Sequence, residues 1–363
     1  MTTNIMTASR QWASRPMDER FVSMIDMQEH FHRQRRISKG MALSSRQLEV
    51  RPDEDNIGLK VYGPAGVGYD MTNWSFGQLA TRAKAPPSYI RTLPAPVSAD
   101  CLNYGLKFGG EPEDLGVLVS NDGADYRELR AVTGPRYGRI WNSQVIDAMV
   151  QNFGDGVTGD FRVPGIFGTK LEHVTKQNTT MYASDRDMFI FLADEEHRIE
   201  LPNRRNGQPG SLARGFFVWN SEVGSQTFGI AGFLFDYVCA NRIVWGAEEY
   251  KEIKMRHTVS APDRFLEEIA PSLTRYSNSS TASVLTAIED ARSHKLDNIE
   301  QFLATRFGSR AMKELDAIHV AEEGRPIETR WDVVTAVTAK ARDIPYQDQR
   351  VELERQAGDL LTT

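Results

Sequence analysis

A chain of 363 residues with 40 % apolar and 25 % charged residues has a globular make-up and exceeds one core of ~100–150 residues, so more than one structural unit is expected. Its net charge of −6 weighs against indiscriminate polyanion binding and leaves room for local basic patches, because affinity for nucleic acid comes largely from Lys and Arg neutralising phosphates. No run reaches the ~20 apolar residues that span a bilayer, and MTTNIMTASRQW lacks the apolar core of a secretory signal, so a cytosolic (cytoplasmic) chain without a membrane partner is expected.

In chain order, residues 1–46 read as a helical arm. Phe21, Met24, Met27 and Phe31 fall three or four apart, Asp18 and Glu19 lie in the first turn, and the stretch ends in Arg33, Arg35, Arg36 and Lys39. LEVRP, IGLKVYG and VGYDMTNW alternate apolar and polar residues between turn formers, which predicts a small antiparallel sheet. Ser75 is placed to cap a helix through Ala83. Pro86, Pro87, Pro94 and Pro96 break the chain before a helix over 99–108, because proline removes a backbone donor and restricts its predecessor. LGVLVSNDG and YRELRAVTGPRYGRI predict a hairpin across Asn121, Asp122 and Gly123, followed by a helix SQVIDAMVQNF capped by Asn142.

FRVPGIF, TTMYASD, DMFIFLAD, HRIELP and ARGFFVWN then read as strands, interrupted by a polar loop over 203–210. In AGFLFDYVCANRIVW the spacing of Phe233, Leu234, Tyr237, Val238 and Ile243 predicts a buried helix. Beyond Ser260 only amphipathic helices are expected, with Phe265, Ile269, Leu273, Trp331, Val334 and Val337 on their buried faces. The whole predicts an α+β fold: a mostly antiparallel α+β core over 47–259 with packing helices, and an all-helical C-terminal region over 260–363 that supports architecture or assembly.

WASRPMDERFVSM, LRAVTGPRYGRIWNSQVIDAM, FFVWNSEVG, LFDYVCANRIVWG with the following MRHT, and WDVVTAVTAKARD together resemble the phage and plasmid proteins catalogued as domain of unknown function 932. The resemblance covers most of the chain in the family's order. It implies a mobile-element origin and a cytosolic setting, and carries no assigned activity.

The richest constellation lies over 129–144, where Arg130, Arg136, Tyr137, Arg139 and Trp141 occur without an acidic residue. Guanidinium groups can contact phosphates while aromatic faces stack on unpaired bases, the chemistry of a single-strand binding surface. The competing reading is a solvated hairpin with Tyr137 and Trp141 in the core. Arg33, Arg35, Arg36 and Lys39 form a second basic cluster, and Arg204, Arg205 and Arg214 a third, which are otherwise solvated faces.

Glu222, after an apolar strand, is either a ligand or base or part of a strand-ending turn. His257 is either a general base or cationic partner, or a hydrogen-bonded strand residue. Asp185 and Asp187 share a strand face at a spacing of two, as metal-bridging carboxylates or as edge protection. His30 and His32 point to different faces of the predicted helix, against a metal site there. Gly66 and Gly68 lack the rest of a dinucleotide fingerprint, and neither GxxxxGK[ST] nor GxSxG occurs. Cys101 and Cys239 lack zinc or disulfide spacing and read as buried, reduced thiols.

No catalytic residue, metal site or cofactor is called for. The leading expectation is a nucleic-acid-binding protein that engages single-stranded DNA or RNA, in annealing, recombination or replication of a mobile element. Arg130, Arg136, Tyr137, Arg139, Trp141, Arg204 and Arg205 are its expected contacts, and a homo-oligomer would supply avidity. The order of an antiparallel meander and a helix broadly resembles single-strand-annealing proteins. Two alternatives stand beside it: a metal-dependent nucleic-acid or nucleotide enzyme using Asp185, Asp187, Glu222 and His257, and a protein-binding factor that interferes with a host system.

Overall fold

The computed structural model describes residues 16–123, 126–164, 173–202, 204, 207–236, 241–244, 253–277, 282–344 and 347–361. Its strands are β1 (Arg20–Phe21), β2 (Ser38–Ser44), β3 (Glu49–Pro52), β4 (Leu59–Tyr62), β5 (Gly68–Met71), β6 (Asp114–Asn121), β7 (Arg127–Thr133), β8 (Phe161–Arg162), β9 (Met181–Ala183), β10 (Met188–Asp194), β11 (Ile199–Leu201), β12 (Gly210–Asn220), β13 (Phe228–Asp236), β14 (Asn241–Val244) and β15 (Ile253–Met255). Its helices are α1 (Met24–Ile37), α2 (Asn73–Arg82), α3 (Pro87–Ile90), α4 (Ala95–Phe108), α5 (Asn142–Phe153), α6 (Ala261–Arg264), which runs through a π turn (Phe265–Ile269) into α7 (Ala270–Ser277), then α8 (Ala282–Ser293), α9 (Ile299–Phe307), α10 (Ala311–Glu323), α11 (Arg330–Arg342) and α12 (Gln347–Asp359).

The strands form two sheets, and the α+β expectation holds. The smaller has the order β2-β6-β7-β5-β4-β3 and is antiparallel except where β5 runs parallel to β7. Its apolar face, with Val50, Val61, Leu115, Val117 and Val132, packs on Leu79 of α2 and on Leu102 and Leu106 of α4. The helix approaches so closely that a Cβ on Gly105 would lie 1.9 Å from the carbonyl oxygen of Ala83. The side-chain amide of Asn103 donates to the carbonyl of Val50 and accepts from its N–H, both at 2.8 Å. Strand β3 is thereby closed by a side chain that imitates a neighbouring strand, which blunts the edge.

The larger sheet has the order β1-β9-β10-β12-β13-β14, with β8, β11 and β15 attached. One face is covered twice. At one end Phe216, Val218 and Phe228 meet Met24 and Phe31 of α1, Val145 and Met149 of α5, and Phe265 and Ile269. At the other, Leu212, Leu234 and Ile243 meet Val284, Leu315, Trp331 and Val334 of the C-terminal helices. The opposite face is aromatic: Phe217 stacks on Phe191 and on Trp219 at 5.2 Å each, joined by Tyr182, Phe189 and Phe233.

Three expectations change. Among the described residues of the expected helical arm, α1 is the one α-helix, and residues 38–44 form β2, the edge strand hydrogen-bonded to β6; α1 packs on the larger sheet while β2 belongs to the smaller, so the segment joins the two. AGFLFDYVCANRIVW supplies β13 and β14 rather than a helix, paired as Phe233↔Val244 and Leu234↔Ile243. Phe233 and Leu234 are both buried, Leu234 against the C-terminal helices and Phe233 among the aromatic side chains of the opposite face, so apolar residues here need not alternate with polar ones. Finally, the region from 260 onward is helical but divided between two cores, α6 and α7 going with α1 and α5, and α8–α12 with the far end of the sheet.

Candidate nucleic-acid interface

The two sheets meet at the turn after β12, and that turn is built from charged and polar residues. A bulge sets it up: Leu118 pairs with Ala131 and Val119 with Leu129, leaving Arg130 as the extra residue of β7. A bulge re-aims its side chain. Arg130 points at the turn, where its Nη2 lies 2.8 Å from Glu222 Oε2 and its Nη1 donates to Ser38 Oγ at 3.0 Å. Glu222 Oε1 accepts from the backbone N–H of Asn142 at 2.7 Å, so the cap of α5 is a carboxylate from a distant turn, favourable beside the positive end of the helix. Asn142 is the first residue of that helix, not its cap.

The backbone of the same turn is held throughout. Tyr137 donates its hydroxyl to Ser221 O and Arg139 its Nε to Glu222 O, both at 2.7 Å. Val223 O accepts from Trp74 Nε1 at 3.1 Å and Gln78 Nε2 at 2.7 Å, while Val223 itself is buried against Leu118 and Ala131. Tyr137 stacks on His257 with ring centroids 4.8 Å apart. Burial raises the Tyr137 phenol above its ordinary value. It also pushes the His257 imidazole down to about 4, with the Arg139 charge acting in the same direction. His257 is therefore neutral near pH 7, and its Nδ1 donates to Gly138 O at 3.0 Å.

Outside this joint lies a basic surface. The guanidinium of Arg35, in the last turn of α1, sits 3.9 Å over the ring of Trp141. Arg139 lies 5.5 Å from the same ring, and one of its Nη atoms is 3.8 Å from the Cβ position of Gly40. The basic cluster at the end of α1 and the Arg/Tyr/Trp segment thus form one surface. Arg33, Arg35, Arg36 and Lys39 are all exposed, as is Arg136. None of the five makes an ion pair among the described residues, whereas Arg82, Arg130, Arg204 and Arg214 each face a carboxylate.

The other expected contacts fall elsewhere. Arg130 is 2 % exposed in its ion pair with Glu222 and cannot reach a ligand at the surface. Arg204 is equally buried, 2.6 Å from Glu323 and beneath Trp331. Arg214 is buried against Asp194 at 2.8 Å. Burial costs a guanidinium its hydration, so each of these three sits where a carboxylate replaces water. Arg205 lies outside the described residues. Tyr137, committed to Ser221 and His257, offers no open face for a base.

Asp185 and Asp187 lie in the turn between β9 and β10 and not on a strand, with Asp187 accepting from Ser184 Oγ at 2.9 Å. Among the described residues no three His, Cys, Asp or Glu side chains are grouped as metal ligands, and Glu222 is the strand-ending turn residue. His32 Nε2 lies 2.7 Å from Asp147. Cys101 is exposed on α4 rather than buried, and Cys239 lies outside the described residues. Trp74, Gln78 and Asn220 are essential to the joint, yet no spacing in the chain marks them. Asn220 donates to Ile140 O at 2.8 Å and to Asn142 Oδ1 at 2.7 Å.

No protein family, characterised protein or solved structure matches the chain. No helix among the described residues is long and apolar enough to cross a membrane.

Proposed function

We propose that the surface made by the end of α1, the start of β2 and residues 136–141 binds single-stranded nucleic acid. The observation that carries this reading is the Arg35 guanidinium on the Trp141 ring, which joins two basic segments far apart in the chain into one patch whose exposed Arg33, Arg35, Arg36, Lys39 and Arg136 form no ion pair among the described residues. A guanidinium lying on an aromatic face keeps its N–H groups free at the edge, where they can meet phosphate oxygens. Because Arg35 is exposed, an unpaired base can take its place on the ring, and stacking of that kind contributes about 1–3 kcal/mol per base. The remainder of an acidic chain repels polyanions, so binding is confined to this face and falls steeply with salt.

The task that suits such a surface is binding or annealing of single strands during recombination or replication. The resemblance to phage and plasmid proteins fits a mobile-element setting. The experiment is a titration with single- and double-stranded DNA and RNA at two salt concentrations. Tighter binding of single strands, with a log–log salt slope of about −0.7 per phosphate contact, is expected. Affinity independent of salt, or absent for all four ligands, would overturn the proposal.

A further inference from the structure

Helix α4 is apolar on two sides. Its inner stripe, Ala95, Ala99, Leu102 and Leu106, is buried against the smaller sheet. At ~100° per residue, Val97, Cys101, Tyr104 and Phe108 form a second stripe on nearly the opposite side, all exposed: Val97 is 46 %, Tyr104 67 % and Phe108 70 % accessible. Tyr104 and Phe108 already touch, with ring centroids 5.5 Å apart. The spacing is four, three, four, the a/d seam of paired helices. Isolated exposed apolar residues are ordinary, but a seam over the whole length of a 14-residue helix is not.

We infer that this seam pairs with the same seam of a second copy of the chain, the two α4 helices running antiparallel about a two-fold axis. The flanking charges select this occupant. Asp100 and Lys107, one heptad apart, lie on the same flank of the seam, and neither forms an ion pair among the described residues. In an antiparallel pair each flank faces its own copy reversed end for end, so Asp100 meets Lys107 of the second copy and Lys107 meets its Asp100. A parallel pair would instead set this flank against the uncharged flank that carries Ser98 and Gly105, leaving both charges without a partner. The pattern is self-complementary, as a two-fold interface requires. One helix face of this length is smaller than the ~800 Å² per partner of stable complexes, so the dimer exchanges and its population depends on concentration. The inference is independent of the nucleic-acid reading, because it concerns the face of α4 turned away from the smaller sheet.

The test is sedimentation equilibrium of the full chain from low to several hundred micromolar, at fixed salt and without nucleic acid. Mass should rise from monomer to dimer. Tyr104→Glu with Phe108→Glu, both at exposed positions, should leave circular dichroism unchanged and weaken the dimer about a hundredfold. Asp100→Lys alone should weaken it, and Asp100→Lys with Lys107→Glu should restore it. A monomer throughout the range would overturn the inference and assign the seam to a different polypeptide. So would a dimer that survives the Tyr104/Phe108 change, or a charge-swapped double variant no better than the single one.

Discussion

Arg130, the extra residue of a bulge in one sheet, and Glu222, in a turn of the other, meet at 2.8 Å with side chains 2 % and 3 % exposed. This contact fastens the two sheets and at the same time caps α5 through Asn142. Removing one member of a buried ion pair leaves the other charged and unhydrated.

Glu222→Ala should therefore destabilise the protein by about 3–5 kcal/mol, read from denaturant midpoints. Arg130→Met combined with Glu222→Leu should recover much of that loss, because no lone charge remains. An unchanged midpoint for Glu222→Ala would mean that the pair is not formed in solution.

On the basic surface the exposed and buried arginines should behave differently. Arg33→Ala with Arg36→Ala should reduce both affinity for single strands and the salt slope, by about 0.7 per lost phosphate contact, without altering the melting temperature. Trp141→Leu should cost about 1–3 kcal/mol of binding if bases stack there. Arg204→Ala should lower stability and leave the salt slope as it was. Equal slopes in wild type and the Arg33/Arg36 variant would place the contacts elsewhere.

Acid should loosen the joint through His257. Its imidazole titrates near 4 when folded, against 6.5 when free, so between these values the unfolded chain binds more protons. Stability is full above about pH 7 and declines as pH falls from 6.5 towards 4, by about 3 kcal/mol. Replacing His257 with Gln should flatten this part of the stability-against-pH curve. A wild-type curve no steeper than that of the variant would refute the assignment.

The C-terminal helices should prove part of the main core rather than an appendage. Trp331 packs with Leu212, Leu234 and Ile243 of the larger sheet, and Trp331→Ala should cost about 3–5 kcal/mol in one cooperative unfolding transition. A separate transition for the helices, with the sheet unaffected, would contradict the shared core.

Local patterns in the chain were good guides where one face of an element is wet. Strands β3–β5 are legible because apolar and polar residues alternate. The β6–β7 hairpin is legible from its turn at Asn121, Asp122 and Gly123, although both its faces are buried. Helix α4 is legible only from 99 onward, because Pro96 stands inside its first turn, where a missing N–H costs nothing. The pattern failed at β13 and β14, where Phe233 and Leu234 are buried on opposite faces and mimic a helix. The basic segment over 129–144 was legible as composition, but its division was not. Arg130 turns inward only because of the bulge, and Arg35 reaches Trp141 only because α1 lies across the larger sheet. Both facts depend on pairings between residues distant in the chain, which no short motif records.

The bulge at Arg130 also separates the pairing of β7 from the contact that it carries. Ala131, Val132 and Thr133 follow the extra residue, and each is buried. Loss of Arg130 would restore regular pairing and keep those three side chains on their present faces opposite Leu118, Val117 and Gly116, but it would leave Glu222 without its guanidinium. A one-codon deletion of Arg130 should therefore spare the small sheet and loosen its attachment to the large one.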